Sequence, residues 1–195
     1  LSGEYGYGRY PNVITGLEME RMLSPAGPSE GNPGRPSDGE VPKRIAWLQC
    51  IGSRDETHDY CSSFCCGYAT KQAVLARKVL PSAEARIFMM DDRVFGRNFS
   101  RTYDHLREQY GIGLEHCRIS VLRQEDDAKD LILQVTGEDG SVREEVFDMV
   151  VLSIGGEAAL KQAELEELFG LESDEFGFLR TGTFSPQDTS RPGIF

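Results

Sequence analysis

Four of the five cysteines in this chain lie within one short stretch, CIGSRDETHDYCSSFCC. These four are Cys50, Cys61, Cys65 and Cys66, and the remaining cysteine is Cys117. Deprotonated cysteines bind zinc or the irons of iron–sulfur clusters, and paired cysteines form reducible disulfides. The stretch is therefore a candidate metal-binding or redox site.

The spacing of these thiols favours an iron–sulfur cluster over a single metal ion. Cys65 and Cys66 are adjacent, and neighbouring side chains on a helix point about 100° apart. Zinc sites prefer thiols roughly two to four residues apart within each pair. A four-iron cluster offers four separate corners, so adjacent thiolates can reach different irons. If a helix begins near Ser62, Cys61 and Cys65 project from one side of its first turn, where the helix dipole favours thiolate.

Three alternatives for the cysteines stay open. The first is that they pack as small apolar residues, as buried thiols commonly do. The second is a redox-active disulfide between Cys61 and Cys65, although the C-x-x-C spacing of thiol oxidoreductases is absent. The third is a zinc site. Cys117 falls in a predicted strand, and we assign it to the core.

The elements that must position the cysteines follow an alternating α/β pattern. A Pro-, Gly- and Ser-rich segment over residues 24–38 predicts irregular structure. Hydrophobic periodicity predicts helices at 14–23, 62–80, 99–110 and 162–169, strands at 44–49, 85–90, 114–123 and 149–154, and a hairpin of 130–136 with 141–147. This order predicts an α/β Rossmann-like three-layer domain with a small antiparallel insertion.

Cys50 directly follows the first predicted strand of that domain. Ligands of such folds bind at the carboxyl ends of the strands, so the cysteines occupy the position of a nucleotide. A pyridine-nucleotide site needs G-x-G-x-x-G there, and this loop begins with only Gly52. Asp91 and Asp92 end the second strand but lie too far along the chain for the usual ribose-binding acid. The sequence therefore disfavours NAD(P) binding.

Composition excludes several classes of partner. The net charge of −11 argues against nucleic acid and anionic membranes, which attract clustered Lys and Arg. The sequence has no apolar run long enough for membrane insertion. An odd number of bunched cysteines indicates a reducing, cytoplasmic location rather than a secreted disulfide scaffold. The chain begins without Met and stops abruptly, so we expect it to be a piece of a longer protein.

Three stretches carry a resemblance to a known family. YGYGRYPNVITGLEMERML, RPSDGEVPKRIAWLQCIGSRD and above all YCSSFCCGYATKQAVLA resemble the A subunit of heterodisulfide reductase, the flavin and iron–sulfur subunit of this enzyme in anaerobes. The similarity extends through FMMDDRVFGRNF and FDMVVLSIGG to TSRPGIF, and so covers nearly the whole chain. The four-cysteine motif is the specific part. The remainder is typical of flavoproteins with two dinucleotide-binding domains.

The resemblance implies cofactors and roles for particular residues. It implies that Cys50, Cys61, Cys65 and Cys66 hold a [4Fe–4S] cluster, which passes single electrons beside the FAD of the full-length oxidoreductase. Lys71, in the YATK run, is implied to lie toward the flavin, where a cation stabilises its reduced anionic form. The FAD-binding glycine motif and the ferredoxin-like cysteine repeats are absent. We therefore expect the chain alone to be inactive and not to bind FAD tightly.

The resemblance also implies a domain division. Residues 1–40 are expected to form an edge of the flavin domain and a linker, and residues 41–156 the Rossmann-like domain with the cysteines. Residues 157–195 are expected to lead back to the flavin domain. This domain would correspond to the NAD(P)H domain of thioredoxin-reductase-like flavoproteins. The implied partners are other heterodisulfide reductase-like or electron-transfer subunits.

Two functions of other classes compete with the electron-transfer module. One is an NAD(P)H-binding domain of a pyridine nucleotide–disulfide oxidoreductase with a redox-active cysteine pair. The other is a structural domain, with or without zinc. Iron and sulfide content after anaerobic reconstitution distinguishes all three.

Overall fold

A computed structural model describes residues 3–94, 99–126, 128–137 and 139–195. The chain forms two compact units. The first runs up to Gly52 and continues from Cys61 to Gly155, and the second comprises Ser53–Tyr60 and Gly156–Phe195. All five cysteines therefore belong to the first unit.

The first unit contains eight strands and three α-helices within the described residues. The strands are β1 (Val13–Thr15), β2 (Arg44–Ile51), β3 (Glu84–Met89), β4 (Gly113–His116), β5 (Val121–Gln124), β6 (Leu131–Thr136), β7 (Val142–Phe147) and β8 (Met149–Ile154). The helices are α1 (Gly16–Leu23), α2 (Cys65–Val79) and α3 (Phe99–Tyr110). No helix among the residues that the structure describes is both long and apolar enough to cross a lipid bilayer.

The strands of this unit form two sheets. A parallel sheet has the order β1-β8-β2-β3-β4, and an antiparallel sheet has the order β5-β6-β7. The central strand β2 is buried on both faces. Its Ile45 and Trp47 belong to one core with α1 and α2, and Ala46 and Leu48 to another with the antiparallel sheet. Helices, parallel sheet and antiparallel sheet are thus stacked in layers.

This arrangement confirms the predicted fold class, an α/β Rossmann-like domain with a small antiparallel insertion. The predicted strand at 114–123 is wrong, because this segment forms two strands in different sheets, β4 and β5. The predicted helix at 14–23 begins only at Gly16, because Val13–Thr15 pair with β8 as an edge strand. Thr15 and Glu18 then form a capping box that starts α1.

The segment over residues 24–38 contains no helix or strand, as its composition predicts. It is nevertheless anchored to the first unit. The buried Asn12 accepts from the Ser37 N–H at 3.0 Å and donates to the Lys129 carbonyl at 3.2 Å. Arg35 forms ion pairs with Asp38 and Asp130. The segment is thereby joined to the residue before β1 and to the turn between β5 and β6.

The second unit contains helix α4 (Gln162–Phe169) and the short strands β9 (Thr181–Gly182) and β10 (Ser185–Thr189). The boundaries of α4 agree with the predicted helix. Tyr60 packs on Phe176 and Phe178, with ring centroids 5.0 and 5.3 Å apart. No residue of α4 is buried. Aromatic contacts are therefore an important part of the packing of this unit.

Adjacent residues of β7 allow a matched test of the second core. Phe147 is fully buried, meets Phe88 edge to face at 5.8 Å and lies under the Arg44 guanidinium, whereas Val146 is 40% exposed. Phe147→Ala is expected to lower the free energy of unfolding by about 3–5 kcal/mol, because it leaves a cavity. Val146→Ala should cost at most about 1 kcal/mol. Urea denaturation measures both, and equal losses would contradict this packing.

Candidate functional site

Strand β2 ends in a β-bulge at Cys50. Leu48 pairs with Leu152 and Ile51 with Ile154, so three steps along β2 match two along β8. Cys50 has φ of 61°, in the left-handed region that a bulge normally fills with glycine. A side chain there costs about 1–2 kcal/mol of backbone strain. The chain thus carries a buried thiol where backbone geometry alone would favour glycine.

The other three cysteines lie at the start of α2. Cys65 and Cys66 are the first residues of the helix and are 2% and 5% exposed. Cys61 precedes the helix in a loop, is half-buried, and accepts from the Ser63 N–H at 3.4 Å. Phe64 at the N-cap provides no side-chain hydrogen bond to the first amides of α2. The partial positive charge of this helix end therefore lies beside the two buried thiols.

The expectation that Cys61 and Cys65 share one face of the first helical turn is wrong. The helix begins at Cys65 rather than near Ser62. Ser63 has φ of 63°, and a left-handed residue cannot belong to a right-handed helix. Cys61 is therefore positioned by the loop and not by helical periodicity.

Cys50, Cys61 and Cys66 all lie within electrostatic range of Cys65. Burial, followed by the neighbouring cysteines, raises the pKa of the Cys65 thiol to about 11. Burial also raises the pKa of the Cys66 thiol, against an opposing hydrogen bond from the Arg93 backbone. None of the five cysteines forms a disulfide. The folded chain thus holds these two thiols protonated at neutral pH unless a cation compensates for the thiolate charge.

The donor set of this site fits an iron–sulfur cluster in chemical type, with four thiols in one compact unit. In the arrangement that the structure describes, no group of three or more His, Cys, Asp or Glu side chains within the described ranges could hold a metal ion. The thiolates around one zinc ion lie about 4 Å apart, and a four-iron cluster separates its ligands further. The structure therefore supplies ligand chemistry without an assembled single-ion site.

Lys71 lies outside the cysteine group, on α2. Its side chain is 55% exposed and forms an ion pair with Glu20. It borders a cavity of about 330 Å³ that Leu17, Tyr68 and Ile154 also line. An ammonium group at the mouth of an apolar cavity can stabilise an anionic edge of a bound ring system.

The structure places Cys117 directly after β4, half-buried against the second core. Burial raises its pKa to about 11. Its backbone N–H donates to the Met89 carbonyl at 2.7 Å. The assignment of Cys117 to core packing is consistent with this position, although the residue lies just beyond the strand.

The sequence did not indicate the polar residues beside Lys71. The buried Gln72 accepts from Trp47 Nε1 at 3.3 Å and donates to the Gly16 carbonyl at 2.8 Å and to Glu20 at 3.2 Å. These partners come from β2 and α1, up to 56 residues away in sequence. No local pattern could have shown this pairing.

The fold defines the class of this chain as an α/β Rossmann-like domain, with Cys50 near the carboxyl end of the central strand β2. The solved structure of LpdA from Mycobacterium tuberculosis is similar in fold, with a TM-score of 0.50 and 12% identity over 82% of this chain and 30% of that one. No family model matches the chain.

Curated relatives narrow this class. Over 98% of its length the chain is 41% identical to the A subunit of the H₂:CoB–CoM heterodisulfide, ferredoxin reductase of Methanothermobacter thermautotrophicus. Over its whole length it is 40% identical to the A-type iron–sulfur subunit of the CoB–CoM heterodisulfide reductase of Methanocaldococcus jannaschii. The chain spans 30% of the length of each of these relatives. The resemblance is confirmed: the chain belongs to the family of heterodisulfide reductase A subunits.

The left-handed residue at the bulge predicts an unusual order of stability. Alanine normally stabilises a strand relative to glycine, but Cys50→Gly is expected to be more stable than Cys50→Ala by about 1 kcal/mol, because only glycine relieves the strain. Urea denaturation of the metal-free chain compares the two variants. The same pair at Cys117, Cys117→Gly and Cys117→Ala, is the control and should show no preference for glycine. A more stable Cys50→Ala would contradict the left-handed bulge.

The raised pKa of Cys65 predicts its reactivity in the metal-free chain. Only the thiolate is alkylated, so the rate of iodoacetamide labelling at Cys65 should rise about tenfold per pH unit between pH 8 and pH 10. Peptide mass spectrometry measures this rate residue by residue. A cysteine in an unstructured peptide of the same sequence serves as the control and should level off near pH 9. A plateau for Cys65 at that pH would contradict the effect of burial.

Proposed function

We propose that this chain is the electron-transfer module of a flavoprotein that resembles the A subunit of heterodisulfide reductase. It would hold a [4Fe–4S] cluster near the FAD of the full-length protein. The ligands in this proposal are Cys50, Cys61, Cys65 and Cys66. The relatives named above are A subunits of such reductases, and one of them is named an iron–sulfur subunit.

The observation that carries the proposal is the strained backbone at Cys50. Glycine could occupy this bulge position, where φ is 61°, without backbone strain. Sparsely populated backbone conformations of this kind are concentrated at functional sites. Cys50 also lies beside three further cysteines in the same unit. A need for the thiol as a ligand explains why this position carries cysteine.

The cluster, when bound, would accept and release single electrons. The chain contributes burial, which excludes water from Cys65 and Cys66, and the N-terminal end of α2, which favours their thiolates. The Ser63 N–H, which donates to Cys61 Sγ, would stabilise a thiolate in the loop. Binding requires release of the thiol protons, so formation of the site should be favoured at higher pH.

The same properties argue against the competing function of a pyridine nucleotide–disulfide oxidoreductase domain. A redox-active cysteine pair requires a thiolate nucleophile, and the raised pKa values of Cys65 and Cys66 oppose one. Nucleotide binding after β2 requires glycines that let the backbone approach a pyrophosphate, and the bulge carries Cys50 instead.

FAD belongs in this proposal to the full-length protein. Lys71 would approach the flavin from the mouth of the 330 Å³ cavity, with Glu20 fixing its ammonium group. Other reductase or electron-transfer subunits are the proposed partners. The oxidoreductase activity belongs to the assembled protein, since this chain spans 30% of its relatives' length.

Anaerobic reconstitution with iron and sulfide tests the cluster. The chain is expected to take up about four irons and four sulfides, to show broad visible absorbance, and to give an EPR signal after reduction. Cys61→Ala should lose most of the iron and the EPR signal without unfolding, because Cys61 lies in a half-buried loop rather than in the core.

Cys117→Ala is the matched control. It removes a half-buried thiol from the same unit but outside the group, so it should reconstitute like the unaltered chain. Equal iron content in the two variants, or stoichiometric zinc with no visible absorbance, would contradict the proposal.

A further inference from the structure

Gln49 is a buried polar side chain that the proposed ligand set does not include. It directly precedes Cys50 on β2 and is 8% exposed. Both its amide nitrogen and its amide oxygen lack a hydrogen-bond partner among the residues that the structure describes. Leaving a buried amide unsatisfied costs about 1–3 kcal/mol per group. Such a residue either lowers the stability of the fold without a function, or it has a hydrogen-bond partner in a bound ligand.

The second buried glutamine of this region shows the contrast. Gln72 also lies between β2 and the helices, and every polar atom of its side chain has a partner. Its amide accepts from Trp47 and donates to Gly16 and Glu20. The fold can therefore satisfy a buried amide in this layer, and it does not do so at Gln49.

The position of Gln49 directs it toward the cysteines of α2. Side chains alternate along a strand, so Gln49 shares the helix-facing side with Trp47, before the bulge changes the register. Because α2 connects the parallel strands β2 and β3, it runs antiparallel to them. Trp47 on β2 contacts Gln72 on α2. Gln49 lies two residues further along β2, a distance of about 6.6 Å, and the same distance along α2 spans roughly four residues toward its N-terminus. Gln49 thus faces α2 near Tyr68, about one helical turn from Cys65 at the start of the helix.

We infer that the Gln49 side-chain amide donates an N–H hydrogen bond to the cluster site and thereby raises the reduction potential of the bound cluster. This inference rests on the proposed function and adds a positioning residue to it. One-electron reduction makes a cluster more negative, so an N–H donor to its sulfurs or thiolate ligands stabilises the reduced form more than the oxidised form. Gln49 contributes this donor from the strand side, opposite the amides of α2.

Gln49→Met tests the inference first in the metal-free chain. Methionine keeps the length of the side chain and removes both unsatisfied polar atoms, so the urea midpoint should rise at unchanged m-value. Gln72→Met is the matched control. It breaks three hydrogen bonds and should lower the midpoint. A fall in the midpoint for Gln49→Met would show that the amide already has a protein partner and would overturn the inference.

The second measurement is a redox titration of the reconstituted chain, followed by EPR. Gln49→Met should reduce the equilibrium constant for one-electron reduction about tenfold, which corresponds to a potential about 59 mV lower. Gln72→Met should leave the potential unchanged, because its partners are Trp47, Gly16 and Glu20 rather than the cysteines.

The outcomes separate the inference from the proposed function. A cluster that forms in both variants with equal potentials overturns the role of Gln49 and leaves the cluster assignment intact. A lowered potential in both variants also overturns it, because the effect is then not specific to this amide. An unaltered chain that binds no iron overturns the proposed function and the inference together. Only a lowered potential confined to Gln49→Met supports the inference.

Discussion

The bulge at Cys50 is the constraint on which the candidate site depends. Strand β2 lies between β8 and β3, so its register is imposed from both sides up to Leu48. Between Leu48 and Ile51, β2 contains one residue more than the matching stretch of β8. Cys50 adopts a left-handed conformation that accommodates this extra residue. The chain then leaves the sheet and returns at Cys61, ahead of α2. The irregular end of this strand places Cys50 at the carboxyl edge of the sheet, in the same unit as the three cysteines near the start of α2.

The electrostatics of the site follow from that position. Buried thiols that lie close together raise one another's pKa, so the chain by itself favours neutral sulfur. The counteracting influences are backbone groups: the N-terminal end of α2 and the Arg93 N–H. They do not lower these pKa values below the ordinary range. A site of this kind gains most from a cationic metal group, which replaces the protons.

Two further residues of the first unit have features suited to ligand binding. Gln49 has an unsatisfied amide, and Lys71 borders an apolar cavity whose other side is Tyr68 and Ile154. The amide of Gln49 differs in this respect from the buried amides of Asn12 and Gln72, which are hydrogen-bonded through both oxygen and nitrogen. Unsatisfied polarity, backbone strain and the thiols therefore coincide, which is the pattern expected where stability is given up for binding.

The sequence alone was sufficient to predict the bounds of elements that are fully buried or that have a strong hydrophobic periodicity. The strand Met149–Ile154 and the helix Gln162–Phe169 agree with prediction to the residue, because a fully apolar run and an amphipathic period are local signals. It also identified the cysteine group and the family. Tertiary structure alone decided that residues 114–123 divide between two sheets, that Cys61 lies off the helix, and that Gln49 is orphaned while Gln72 is satisfied. Those outcomes depend on partners that are distant in sequence, such as Gly16, which lies 56 residues from Gln72. Hydrophobic periodicity indicates burial but not which partner a residue meets.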